Sequence, residues 1–185
     1  MSLEIYLGPM WAGKSSTVLG TLRRYSSIGW KVLVLTSDLD NRYGTGMIVS
    51  HDQEKYPALA LKELLSVLKL DLYKDAQLIM IDEAQFFPDL YPFVLQAVDC
   101  DSKHVLVVGL DGDSDRQPFG EILQLIPHCD SVKKITSFCS ECKDGTPALF
   151  SYCKKTKSEQ VSVGHTNQYE PLCRKHFNEK TYPKA

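Results

Sequence analysis

The sequence lacks an excess of charge of either sign and lacks long apolar runs. Its 185 residues carry a formal net charge of -2, and the basic residues form no long cluster. Proteins that bind a nucleic-acid backbone need such a cluster, so we expect no nucleic-acid partner. A bilayer-spanning helix needs about 20 apolar residues, which no stretch provides, so we expect no membrane partner either.

The amino-terminal segment lacks the charged leader and apolar run of a secretory signal, which favours a cytoplasmic protein. Internal repeats, low-complexity tracts and long linkers are also missing. The six cysteines are concentrated towards the end of the chain. In a cytosolic protein such cysteines are more often reduced or metal-bound than paired in disulfides.

Residues 8–15 read GPMWAGKS and match the G-x-x-x-x-G-K-S pattern of a phosphate-binding loop. Residues 3–7 before them alternate like a strand, and residues 15–25 after them have apolar positions at helical spacing. The loop residues that would surround the phosphates are Gly8, Pro9, Met10, Trp11, Ala12, Gly13, Lys14 and Ser15. Lys14 would bind the outer phosphates, and the Ser15 hydroxyl would bind Mg²⁺. The alternative is a glycine-rich turn that matches by chance.

A second acidic signal follows the apolar residues 77–81, where Asp82 and Glu83 come directly after a predicted strand. An aspartate in this position holds Mg²⁺ in phosphate-loop proteins. We expect Glu83 to point to the other side of an extended backbone, where it could act as a general base. The alternative is a charged pair that merely ends a strand.

The remaining pattern predicts an α/β fold with a mostly parallel central sheet in three layers. Further strands are predicted at residues 31–36, 104–110 and 131–137. Helices are predicted at residues 59–70, 88–100 and 121–126, the last of them stopped by Pro127. Polar loops at 37–46 and 111–120 follow two strands, at the sheet edge where α/β folds bind ligands. Asp40 and Arg42 lie in the first loop, which is otherwise interpretable as solvated surface.

The last part of the chain contains two short metal-binding patterns. Cys139 and Cys142 form a C-x-x-C pair, and Cys173 and His176 form a C-x-x-H pair. Together they supply four ligands, enough to close a tetrahedral structural Zn²⁺ site. The change in composition predicts two domains, a phosphate-loop α/β domain at 1–137 and a zinc-binding domain at 138–185. The alternative is two knuckles that bind no metal.

Taken together and in order, these segments resemble the type II thymidine kinases of animal cytosol, many bacteria and large DNA viruses. The resemblance covers nearly the whole chain. The segments that carry it are GPMWAGKS, DNRYGTG at 40–46, SHD at 50–52, IDEAQFFPD at 81–89, GLDGD at 109–113, QPFG at 117–120, CSEC at 139–142 and YEPLCRKHF at 169–177.

The resemblance implies transfer of the ATP γ-phosphate to the 5′-hydroxyl of thymidine, with deoxyuridine as a possible second acceptor. It implies Mg²⁺ and structural Zn²⁺ as cofactors, and Glu83 as the catalytic base. Members of this family commonly form tetramers and are inhibited by dTTP. The implied nucleotide contacts beyond the phosphate loop are Asp40, Asn41, Arg42, Asp82, Glu83, Ala84 and Gln85. The implied thymidine contacts are Met10, Phe86, Leu110, Phe119, Val163, Gly164 and Tyr169.

Three positions depart from the family pattern. Ser114 stands where an aromatic residue is usual, which leaves the nucleoside range open. The loop at 163–169, expected to close over the nucleoside, has one glycine where two are usual, and His176 replaces the cysteine of animal members. Two other classes remain as alternatives: a P-loop ATPase or switch protein with a structural zinc knuckle, and a non-catalytic zinc-bearing binding module.

Overall fold

A computed structural model describes residues 1–39, 47–49, 55–154 and 168–182. Five predicted site residues, Asp40, Asn41, Arg42, Val163 and Gly164, lie outside these ranges. The described strands, in chain order, are β1 (Ser2–Leu7), β2 (Val32–Ser37), β3 (Met47–Val49), β4 (Lys55–Pro57), β5 (Leu59–Leu61), β6 (Leu78–Ile81), β7 (His104–Gly109), β8 (Ser131–Lys134), β9 (Ser137–Phe138), β10 (Pro147–Ala148), β11 (Phe150–Cys153) and β12 (Tyr169–Leu172). The α-helices are α1 (Lys14–Ser27), α2 (Asp71–Asp75), α3 (Leu90–Leu95) and α4 (Arg174–Thr181).

Six strands form the central sheet in the order β5-β2-β6-β7-β1-β8. Every strand pairing in this sheet is parallel. Parallel strands covered on both faces need apolar side chains on both sides, and all four residues of β6 are buried. Because the strands are parallel, their carboxyl ends meet at one edge, which brings the loops after β1, β6 and β7 together.

Both faces of the sheet are covered, as the three-layer prediction requires. Helix α1 packs Val18, Leu19 and Leu22 against one face, together with alternate residues of β2, β6 and β7. On the other face, α3 and short helical turns bury a larger cluster that includes Phe87, Leu90 and Phe93. The predicted α/β fold is therefore confirmed. No helix in the described ranges is long and apolar enough to cross a membrane.

The predicted helix at 59–70 is wrong. Residues Leu59–Leu61 form β5 instead, which pairs with the end of β2 at the sheet edge. The leucine spacing beyond it belongs to a 3₁₀ helix, Leu65–Lys69, which buries Val67. Pairing with β2 outweighed the local helical spacing. Periodicity alone cannot tell a strand from a helix in a short apolar segment.

Three other predicted boundaries also differ. The helix expected at 121–126 is a 3₁₀ helix, Ile122–His128, which contains Pro127 and does not stop before it. The helix expected at 88–100 begins at Leu90 and continues as a π-helix over Gln96–Cys100. The strand expected at 131–137 ends at Lys134, because Ser137 already pairs with Ala148 in a separate hairpin.

The carboxyl-terminal part consists of two small antiparallel sheets, β9–β10 and β11–β12, followed by α4. Its buried apolar cluster is small and comprises Cys139, Ala148, Leu172, Cys173 and Phe177. A core of this size gives little stability without a metal or a cross-link. The domain boundary predicted at 137/138 falls inside β9 and stays a prediction.

Candidate active site

The phosphate-binding loop joins β1 to α1, as its sequence predicts. Gly13 precedes the helix in the left-handed conformation, with φ of 79°, and Trp11 has φ of 60°. The Lys14 ammonium donates to the carbonyl oxygens of Gly8 at 3.1 Å and Pro9 at 2.7 Å. It therefore lies across the loop at the amino terminus of α1, where the helix dipole also favours an anion.

Ser15 and Asp82, the predicted Mg²⁺ pair, are adjacent. The Ser15 hydroxyl donates to Asp82 Oδ2 at 3.5 Å, and Asp82 Oδ1 accepts the N–H of Glu83 at 3.0 Å. Asp82 is only 4% exposed. Two oxygens about 2.0–2.1 Å from one Mg²⁺ would lie roughly 3–4 Å apart, so this pair fits the ion.

Glu83 does not continue the strand, so the expectation of an extended backbone at this position is wrong. Strand β6 ends at Ile81, and Glu83 has φ of 51° and ψ of 39°. This left-handed conformation costs a non-glycine residue on the order of 1 kcal/mol. A turn of 3₁₀ helix, Ala84–Phe86, follows directly. The reversal of the chain, and not strand alternation, therefore separates the Glu83 side chain from Asp82.

Three predicted thymidine contacts, Phe86, Leu110 and Phe119, lie in segments that adjoin Gln85. Phe86 and Phe119 meet edge to face, with ring centroids 5.5 Å apart. The Leu110 N–H donates to Gln85 Oε1 at 3.0 Å, and Gln85 Nε2 donates to Glu83 Oε2 at 2.6 Å. The loops after β6 and β7 thus meet as the parallel sheet requires, and together they carry both aromatic rings and the Glu83 carboxylate.

Two further predicted contacts lie on the phosphate-binding loop and on the carboxyl-terminal part. The N–H of Met10 donates to Ser151 Oγ at 2.9 Å. Ser151 is buried on β11, and Tyr169 pairs with Cys153 at the other end of the same hairpin. Sequence analysis missed Ser151, because a serine in a short strand carries no distinctive signal.

The loop after β7 is shaped by Asp113. It also carries Arg116, a second residue that sequence analysis missed. Asp113 Oδ1 accepts the N–H groups of Asp115 at 2.8 Å and Gln117 at 2.9 Å, as in an Asx turn. Ser114, the departure from the family pattern, is buried beside it. Arg116 follows with φ of 63° and reaches towards α4.

We call the surroundings of this arginine the Arg116 cage, which comprises Arg116, Phe150, Phe177, Asn178 and Tyr182. The guanidinium carbon lies 4.8 Å from the Phe177 ring centroid, 5.5 Å from that of Phe150 and 5.8 Å from that of Tyr182. Its N–H groups donate to Tyr182 Oη at 3.1 Å and Asn178 Oδ1 at 3.4 Å. The cage attaches the loop after β7 to the carboxyl-terminal part.

The four predicted zinc ligands form one cluster. Their ligand atoms, three Sγ and one imidazole nitrogen, all lie within 4.8 Å of one another. His176 Nδ1 lies 3.3 Å from Cys142 Sγ, 3.4 Å from Cys173 Sγ and 3.5 Å from Cys139 Sγ. A tetrahedral Zn²⁺ with bonds of about 2.0–2.3 Å separates its ligands by roughly 3.3–3.8 Å, so the cluster fits this ion.

Neighbouring groups act on three of the four ligands of the cluster, and those at Cys139 and His176 favour metal binding. Burial would raise the pKa of the Cys139 thiol, but hydrogen bonds from the backbone of Cys173 and Cys142 outweigh it and lower the pKa to about 6. Burial raises the pKa of Cys142 to about 11. Glu179 Oε2 lies 3.9 Å from His176 Nε2, on the ring side away from the cluster. Carboxylates in this position orient metal-bound histidines.

The parallel sheet, the loop between β1 and α1, and the acidic pair after β6 define a P-loop nucleotide-binding protein with an appended Cys₃His cluster. A family model narrows this class, because the one described as thymidine kinase matches residues 1–177. The chain belongs to the thymidine kinase family.

Individual relatives agree with this assignment. The chain is 40% identical to thymidine kinase a of Arabidopsis thaliana over 179 residues, which cover 95% of the chain and 74% of that protein. It is 41% identical to a thymidine kinase of Oryza sativa subsp. japonica, again over 95% of the chain but 65% of that protein. A Monkeypox virus thymidine kinase is 37% identical over 94% of both chains.

Proposed function

We propose that this protein transfers the γ-phosphate of ATP to the 5′-hydroxyl of thymidine. Family membership supports the substrate class. The observation that carries the mechanism is the position of Glu83, which lies next to Asp82 and is hydrogen-bonded to Gln85 beside Leu110. These contacts support Glu83 as the carboxylate between the proposed phosphate site and the proposed nucleoside site.

Each part of an in-line phosphoryl transfer has a candidate group. The loop residues Gly8 to Ser15 bind the donor phosphates, and Lys14 gives up its contacts with the Gly8 and Pro9 carbonyls to reach them. Ser15 and Asp82 would hold Mg²⁺, which would neutralise charge on the phosphates. Glu83 accepts the proton of the 5′-hydroxyl as that oxygen attacks phosphorus.

The thymine base would lie against Phe86, Leu110 and Phe119. Met10 of the phosphate-binding loop and Tyr169 of the carboxyl-terminal part would complete its surroundings. Asp40, Asn41 and Arg42 near the phosphates, Ala84 beside the nucleotide, and Val163 and Gly164 over the nucleoside are proposed from the family resemblance. The same resemblance supports a tetramer, inhibition by dTTP and a cytoplasmic location. A structural Zn²⁺ is proposed at Cys139, Cys142, Cys173 and His176.

The test is transfer of labelled phosphate from ATP, screened over thymidine, deoxyuridine, deoxycytidine and purine deoxynucleosides. We expect transfer to thymidine, and hydrolysis without an acceptor should be slow. A general base contributes about 10²–10⁴-fold, so Glu83→Gln should lower kcat by that factor while ATP binding persists. Exposed Glu63→Gln is the matched control. Near-normal turnover of Glu83→Gln would refute the base, and rapid hydrolysis without thymidine would favour an ATPase.

A further inference from the structure

The side-chain amide of Gln85 uses both of its ends. It is 3% exposed, donates through Nε2 to Glu83 Oε2 at 2.6 Å, and accepts the Leu110 N–H through Oε1 at 3.0 Å. Only this orientation places a donor on the carboxylate and an acceptor on the backbone N–H. The amide therefore links the Glu83 carboxylate to the loop after β7.

Two glycines make room for Gln85. A Cβ atom at Gly109 would lie 2.6 Å from Gln85 Oε1, and one at Gly120 would lie 2.3 Å from the Gln85 carbonyl oxygen. Gly120 also has φ of 62°, which other residues rarely adopt. These glycines belong to the GLDGD and QPFG segments. The GLDGD segment therefore abuts the side chain of Gln85, and the QPFG segment abuts its backbone.

The link matters because the backbone does not hold Glu83 in a strand. Its left-handed residue lies between β6 and a short 3₁₀ turn, so strand pairing does not set the direction of its side chain. The hydrogen bond from Gln85 fixes one carboxylate oxygen. Charge-assisted hydrogen bonds of this kind are short and directional, which suits a group that must meet a substrate hydroxyl precisely.

We propose that Gln85 is a positioning residue: it orients the Glu83 carboxylate towards the acceptor hydroxyl and couples it to the Leu110 side of the nucleoside pocket. This role rests on the proposed function of Glu83 as the base. It differs from the nucleotide contact that the family resemblance implies for the segment. It gives the buried amide a function in turnover beyond support of the fold.

The variant Gln85→Glu separates the two ends of the amide. It keeps an oxygen that can accept the Leu110 N–H but replaces the donor to Glu83 by a second carboxylate oxygen. We expect kcat to fall about 10²-fold, as a displaced catalytic group costs, with little change in the KM for ATP. The kcat profile against pH should gain an ionisation, because two adjacent carboxylates share a proton.

Two more variants complete the design. Gln85→Met loses both hydrogen bonds, so we expect the kcat loss together with a raised KM for thymidine. Gln124→Glu makes the same amide-to-carboxylate change at an exposed position and should behave like the parent protein. Thermal melting and ATP binding identify the variants that are folded.

A purely structural Gln85 would leave kcat and its pH profile unchanged in folded Gln85→Glu, and that result would overturn the proposal. If Gln85→Glu does not fold, Gly109→Ala replaces it, because the added methyl would displace the amide oxygen without changing charge. Unchanged kcat in folded Gly109→Ala would equally overturn the proposal. Near-normal turnover of Glu83→Gln would instead refute the proposed base, which distinguishes the two failures. Inactive Glu83→Gln combined with unimpaired Gln85→Glu refutes Gln85 alone.

Discussion

The Arg116 cage allows a quantitative test of how firmly the loop after β7 is attached to the carboxyl-terminal part. Replacement by methionine keeps the aliphatic stem and removes the guanidinium. Glycine would be a poor choice, because Arg116 has φ of 63° and glycine would relieve backbone strain at the same time. Arg116→Met therefore isolates the contacts of the cation.

The expected loss follows from those contacts. The hydrogen bond to Tyr182 Oη at 3.1 Å contributes about 1 kcal/mol, whereas the one to Asn178 at 3.4 Å is too long to add much. The Phe177 ring, 4.8 Å away, contributes about 0.5–1 kcal/mol as a cation–π contact, and the two more distant rings add less. We expect a loss of about 2 kcal/mol in the free energy of unfolding.

For a chain of this size, about 2 kcal/mol corresponds to a fall in Tm of about 4–8 °C, measurable by calorimetry. The exposed Arg174, whose guanidinium carbon lies 5.1 Å from the Phe150 ring, is the matched control, and Arg174→Met should lower Tm by about 2 °C or less. The KM for thymidine should also rise, since the tethered loop carries Leu110 and Phe119. Equal falls in Tm for the two variants would refute this account of the cage.

Two further predictions concern the metal and a buried phenol. Elemental analysis of the purified parent protein should find about one zinc per chain. The variant Cys139→Ser should contain less zinc and should bind thymidine more weakly, with a smaller effect on ATP binding. A full zinc content in Cys139→Ser would contradict this prediction. Burial and a hydrogen bond to Asp101 raise the pKa of Tyr73 above its value of about 10 in the unfolded chain. The protonated phenol therefore contributes its full stabilisation below about pH 10, and this stabilisation is lost as the pH rises further. Tyr73→Phe should therefore lower the free energy of unfolding, measured in urea at pH 7, by about 1–2 kcal/mol. The difference between the two proteins should shrink above pH 10, and a constant difference would contradict a stabilising role for the protonated phenol.

The parts of the fold that sequence predicted correctly are those in which local pattern and tertiary demand agree. The fully apolar β6 forms a buried strand as predicted, and the C-x-x-C and C-x-x-H spacings each place two metal-ligand side chains next to one another. The helix predicted at 59–70 failed because β2 needed an edge partner, and leucine spacing contains no information about a neighbour more than 20 residues away.

The sequence proposed the residues of the candidate site but not their geometry. Ser15 and Asp82 meet as expected, but Glu83 turns out of the strand, which no periodicity rule indicates. Gln85 and Arg116 contact partners that are distant in sequence, Leu110 in one case and α4 in the other. Such roles become visible only when the loops after β6 and β7 are seen side by side.

The order of strands in the sheet also has a consequence for synthesis on the ribosome. Strand β1, which leads into the phosphate-binding loop, pairs only with β7 and β8, so Ser2 lies opposite His104 and Glu4 opposite Ser131. At about 5–20 residues per second, the nascent chain carries an unpaired β1 for roughly 5–25 s before both partners exist. The strand that leads into the phosphate-binding loop is thus translated well before its native neighbours, and during that interval it is open to chaperones.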